Sequence, residues 1–179
     1  MALGAVGVIG PLRDVGPCEV WWGASTAAFV GQYHDSVGIR FAETDAPVFD
    51  SNYGTTPVDF VKTGSGACEV VVPFTRLTIA QLAVIAPGLT STTATGKAWK
   101  AGADVGLSEY ENAGPLILKP LVGGAAVSAA QYWFNMPKAF PVADFDITYN
   151  TDGQRVFNVT FKGLPDATTA TVWYVGTVQ

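Results

Sequence analysis

The chain has 179 residues, of which 49% are hydrophobic and 14% charged, which excludes a disordered tail and suits a single globular domain with a sizeable core. A formal charge of -5 and a pI near 4.6 exclude stable nucleic-acid binding through a basic face. Twenty-two Val and eighteen Thr beside six Lys and five Glu favour pleated surfaces over exposed helix faces, so the expected class is mostly β.

Residues 1–16 form an apolar arm. No basic region precedes the run from Met1 to Leu12, and three Gly interrupt it, so it makes a poor signal peptide and the chain reads as soluble and unexported. Gly4, Gly7 and Gly10 are spaced three apart with no strand before them, which is not a dinucleotide fingerprint. The remainder, residues 17–179, reads as one domain. Cys18-Glu-Val-Trp-Trp22 is a short strand, and residues 37–43 alternate, with Val37, Ile39 and Phe41 on one face. Two more strands follow at 58–63 and 67–75, the second placing Cys68, Val70, Val72 and Phe74 together.

The period then changes. Thr78-Ile-Ala-Gln81 has capping-box spacing, and Ile79, Leu82, Ala83 and Ala86 make one apolar stripe before Pro87-Gly88, which predicts a short amphipathic helix over about 78–86. The Thr-, Ala- and Gly-rich stretch 89–114 reads as a loop or insertion. Strands resume at 116–121, 131–140, 142–149, 154–162 and 169–175. A three-residue turn at Thr151-Asp152-Gly153 would pair Asp144 with Thr160 and Asp146 with Asn158 on a polar face. Phe145 and Ile147 would then meet Val159 and Phe157 on an apolar one.

The residues make no enzyme. His34 is the single histidine, so a multi-histidine metal centre is excluded, and Cys18 and Cys68 form no C-x-x-C pair. Thr95-Gly96-Lys97 lacks the remainder of a phosphate loop. Asp144 with Asp146, and Glu109 with Glu111, are two apart and read as solvated faces, and Asn158-Val-Thr160 matches a glycosylation sequon by chance. Neither a cofactor nor a metal is expected. The uncharged window 77–96 contains Gln81, Pro87, Gly88 and six Thr or Ser, and cannot span a bilayer as a helix.

The order of segments resembles the major tail tube protein of tailed bacteriophages. The resemblance rests on Gly16-Pro-Cys-Glu-Val-Trp-Trp22, a long hairpin over 37–63, and a strand running into Leu77-Thr-Ile-Ala-Gln-Leu82. Pro115-Leu-Ile-Leu-Lys-Pro-Leu121, the paired strands 143–149 and 155–162, and the turn Gly163-Leu-Pro-Asp166 before a last strand complete it. The motifs are short and run from Gly16 to Gly176. The resemblance implies a β-sandwich or barrel of two packed antiparallel sheets with one flanking helix. It also implies hexameric rings of a single protein, joined by strands around a lumen and stacked into a conduit for DNA ejection. The tubes of bacterial secretion machines share that fold. Expected partners are other copies, the tape measure, the tail terminator and a baseplate or tip protein, with DNA only in transit and no membrane. The expected location is the virion tail, after assembly in the host bacterial cytoplasm.

Two features of the sequence fit that expectation. The connection 44–57 reads as a long loop whose Val48, Phe49 and Tyr53 would be wet without a partner, while Pro47 and Pro57 restrict it. Asp45, Pro47, Val48, Phe49, Tyr53 and Pro57 are therefore the candidate contact between rings. The face bearing Asp144, Asp146, Asn158 and Thr160 is the candidate channel lining, since phosphates should slide along an acidic wall. A monomeric β-sandwich binding glycans on Trp21, Trp22, Trp99 or Trp133 is the alternative, and a metal enzyme using Asp144 and Asp146 a distant third.

Overall fold

In the computed structural model, the structure describes residues 17–23, 28–33, 36–75, 77–85, 89–92, 98–101, 106, 108–143 and 156–177. The arm 1–16, His34, the Thr95-Gly96-Lys97 segment and the turn around Thr151-Asp152-Gly153 lie outside them, as do Asp144, Phe145, Asp146 and Ile147.

The fold is mostly β, as the composition implies. Its strands are β1 (Cys18–Trp22), β2 (Ala28–Tyr33), β3 (Gly38–Phe49), β4 (Pro57–Thr75), β5 (Leu89–Thr92), β6 (Ala98–Ala101), β7 (Gly114–Val122), β8 (Ala125–Ala126), β9 (Phe134–Ala143), β10 (Phe157–Leu164) and β11 (Tyr174–Val175). Among the described residues one α-helix, α1, spans Ile79–Ile85. Following hydrogen-bonded neighbours from β1 to β7, β9, β10, β4, β2 and back to β1 closes a ring, and every pairing in it is antiparallel. The two expected sheets are thus joined along both sides into one barrel, which removes the edges that an open sandwich would leave. The narrowest seam joins β2 to β4 through Gln32↔Thr75 and Tyr33↔Phe74.

Period-two alternation fills the barrel. Cys68, Val70, Val72 and Phe74 of β4 point inward, as their spacing predicts, and meet Val159 and Phe161 of β10. Trp22 joins them and donates its indole N–H to the Ala139 carbonyl at 3.0 Å, so its one polar atom is satisfied inside the core. Each of these large side chains contributes roughly 1.5–3 kcal/mol by leaving water.

The capping box forms as its spacing predicts. Thr78 Oγ1 accepts from the Gln81 amide at 3.2 Å, and Gln81 Oε1 accepts from the Thr78 amide at 2.9 Å. The helix buries Leu82, as expected, and also Ile85, which lay outside the predicted stripe, while Val84 faces outward.

Other expectations are corrected. The segments 58–63 and 67–75 are a single strand, β4, and 131–140 with the start of 142–149 are a single strand, β9, preceded by a 3-10 turn at Ala130–Tyr132. Within 89–114, β5 and β6 pair as a small hairpin. The expected strand 169–175 shrinks to β11, because Asp166 folds the preceding residues into a turn by accepting from the Thr168 and Thr169 amides. The register of β10 on β9 differs by two residues from the expected one: Val159 faces Ala143 and Thr160 faces Val142. A shift of two preserves which side chains point inward, so Val159 is buried and Asn158 exposed, as the alternation requires.

Candidate functional site: an exposed two-stranded ribbon

The expected long loop 44–57 is not a loop. β3 and β4 stay paired from Gly38↔Val71 to Phe49↔Pro57, so Asp45, Pro47, Val48 and Phe49 are strand residues and the turn is confined to 50–56. Pro47 is tolerated because β3 is an edge strand whose outer side carries no pairing among the described residues. The turn is ordered by its own groups: Asp50 Oδ1 accepts from the Asn52 amide at 2.8 Å, the Asp50 carbonyl accepts from the Tyr53 amide, and Gly54 supplies the positive φ. Tyr53 is thereby held at the tip.

Where β4 leaves the barrel decides how far this hairpin projects. Among the described residues β10 pairs with β4 only between Glu69 and Phe74, and residues 57–67 of β4 have β3 as their sole paired strand. At about 3.3 Å per residue the two-stranded ribbon runs roughly 35 Å past that pairing. An isolated ribbon of this kind is marginal in water and has no core beneath it.

Its apolar groups lie on both faces. Pro47 stands opposite Phe60, with Val58 two residues along β4 on the same face. Ala46 stands opposite Val61 on the other face, next to Val48. Phe49, Tyr53 and Phe60 are 56%, 64% and 59% exposed. At roughly 150–250 Å² per aromatic side chain, those three rings alone leave about 350 Å² of apolar surface in water, before Val48, Val58 and Val61 are added. Asp45 opposite Lys62, and the Glu43–Lys62 pair at 2.8 Å, give the ribbon a charged margin near its root. Val58, Phe60 and Val61 belong to a segment expected as a half-buried strand, yet all three are exposed. Adjacent apolar residues at 60 and 61 were the available signal, since a strand with one buried face would alternate there.

The candidate lining residues fall elsewhere. Asn158 is exposed and Thr160 half-buried on the outer face of the barrel, opposite Pro73 and Val71 of β4. The register also places Glu69 between Arg40 and Lys162 on that sheet, so the described part of this face is mixed in charge and not acidic. Asp144 and Asp146 lie outside the described residues.

Two further features bear on chemistry. Trp21 and Trp133 do flank a common site, but Lys119 Nζ occupies it, 3.5 Å from the centroid of Trp21 and 4.4 Å from that of Trp133. With Trp22 in the core, neither of these half-buried indoles offers a free stacking face on that side, which weighs against a glycan platform there. A depression of about 440 Å³ is lined by Pro17, Cys18, Phe29, Tyr33 and Leu121 among others. Tyr33 Oη accepts from the Cys18 amide at 2.6 Å, and burial pushes the Cys18 thiol up, away from a reactive thiolate. Among the described residues no three His, Cys, Asp or Glu side chains converge on a metal-sized site, and no helix is long and apolar enough to cross a membrane.

No model of a known protein family and no curated protein matches this chain.

Proposed function

We propose that the protein is a structural subunit that joins copies of itself into rings stacked as a tube, the tail tube of a bacteriophage, which conducts DNA during ejection. The observation that carries this reading is the ribbon of β3 and β4, which exposes Phe49 and Phe60 together with valines on both of its faces and whose strand edges beyond Glu69 carry no further pairing among the described residues. A monomer gains nothing from such a surface. Copies that cover it gain apolar burial and strand pairing at once, and a ring presents the contact once per subunit, so a modest contact becomes a strong assembly term. In this reading the outer face with Asn158 and Thr160 lines the channel. Tape measure, terminator and baseplate or tip proteins meet the assembled tube in the virion tail.

The test is to replace residues 46–56 by a short Asp-Gly turn. The reading expects folded subunits, or single rings, that no longer elongate. Long tubes of unchanged diameter would assign stacking to another part of the chain.

A further inference from the structure

The root of the ribbon carries two consecutive irregularities of the β3–β4 ladder. Pairing is regular from Gly38↔Val71 to Ala42↔Ala67, shifts between Ala42 and Thr44 and again between Thr44 and Asp45, and shifts once more near the tip, between Val48 and Phe49. Opposite the first two shifts stands Gly64-Ser65-Gly66, with Gly66 at φ 25°, inside the region that side chains disfavour. Irregularities of this kind bend a strand pair and raise its local twist. The two at the root fall where β4 loses β10 as a neighbour, so the bend separates a part held on both sides from a part held on one.

Beside this bend sits the C-terminal segment. Trp173 stacks against Phe134 of β9 at 5.9 Å and meets Phe41 of β3 at 4.6 Å. A Cβ at Gly66 would lie 4.0 Å from the Trp173 indole nitrogen, so the indole also borders the glycine of the bend. Val172, next to it, packs on the barrel core, and β11 anchors the segment to β9 through Tyr174↔Asn135 and Val175↔Phe134. Phe41 also meets Phe134 at 6.4 Å, so the three rings form one cluster in which the indole touches both the barrel strand β9 and the last regular pairs of the β3–β4 ladder, where Phe41 stands opposite Cys68.

We infer that the ribbon is a jointed arm, hinged at Thr44 opposite Gly64 to Gly66, and that Trp173 is the positioning residue that sets its angle to the barrel. The energetic logic is that a bulged, glycine-bearing joint has several accessible bends, and a ring wedged beside it removes all but one. The inference concerns the arm's geometry and stands independently of what the arm joins.

The test uses the full chain with spin labels encoded at Tyr53, on the tip, and at Glu109, on the exposed 108–112 turn of the barrel, diluted with unlabelled protein so that only distances within one copy are read. Hydrogen exchange of the β4 amides at 68–72 and 74 reports the barrel in parallel. A single narrow distance is expected for the parent. Trp173→Ala and Phe41→Ala should each lose it for a broad distribution while barrel protection is unchanged, and Trp173→Phe should restore the narrow one. An unchanged distance in both alanine variants overturns the inference. Loss of barrel protection along with the distance also overturns it, because Trp173 would then be a core residue and not a stop for the arm.

Discussion

The ring of Phe41 lies 4.6 Å, centroid to centroid, from the indole of Trp173, although 132 residues separate them in the chain and both are partly exposed. The contact joins the root of the ribbon to the end of the chain. Val172 brings Trp173 into place by packing on Gly163, where an added Cβ would lie 2.8 Å from Val172 Cγ1, 2.7 Å from Met136 Cε and 3.1 Å from the Cys68 carbonyl oxygen.

Gly163 is therefore a fixed point of the fold. Gly163→Val should destabilise the protein by about 1–3 kcal/mol, through overpacking against a backbone oxygen that cannot swing aside. Chemical denaturation of the purified variant measures this. A midpoint equal to the parent's would show that β10 and the C-terminal segment can part at no cost.

Burial, with the neighbouring Glu69 carboxylate, pushes the Cys68 thiol from 9.0 up to about 11. The folded state then holds this proton more tightly than the unfolded chain, so its contribution is intact below pH 9 and is lost as the pH rises toward 11. Cys18 and Tyr33 are raised as well, again mainly by burial, and act in the same direction. Stability measured across this alkaline range should fall less steeply in Cys68→Ala than in the parent. An equal slope would mean that water reaches the Cys68 sulfur.

Lys119 between Trp21 and Trp133 should contribute about 0.5–1 kcal/mol to the outer wall of β1 and β7. Lys119→Ala is expected to lower stability by that amount and to change indole fluorescence, because the cation leaves both rings. No change in either signal would show that the ammonium is not held there in solution.

Phe60→Asp and Phe49→Asp place a charge on a surface that the barrel does not use. Stability of the isolated subunit should change by no more than about 0.5 kcal/mol, as for other exposed positions. Association should be lost in both variants by sedimentation velocity. Assembly at the parent's level would remove the ribbon's apolar faces from the interface.

Local chemistry was legible in the sequence where one rule acted alone. The capping box of Thr78 and Gln81 and the inward run Cys68, Val70, Val72 and Phe74 are read from spacing, because each needs only its own segment. The ribbon was only half legible. Pro47 and Pro57 look like loop residues until an edge strand is known to accommodate them, and Phe60 beside Val61 breaks the alternation that marks a half-buried strand. A barrel was within what the resemblance implies, but its closure has no local signature, since the β7–β9 and β2–β4 seams join distant segments and leave no local period. The two-residue register difference on β10 was invisible for a related reason: alternation fixes parity, and both registers satisfy it.

The central claim is self-assembly through the ribbon. Negative-stain microscopy of the purified full chain, from micromolar concentration upward, tests it most directly. The account predicts rings of uniform diameter that stack into tubes. A field of single small particles at every concentration, with a monomer mass by light scattering, would contradict it.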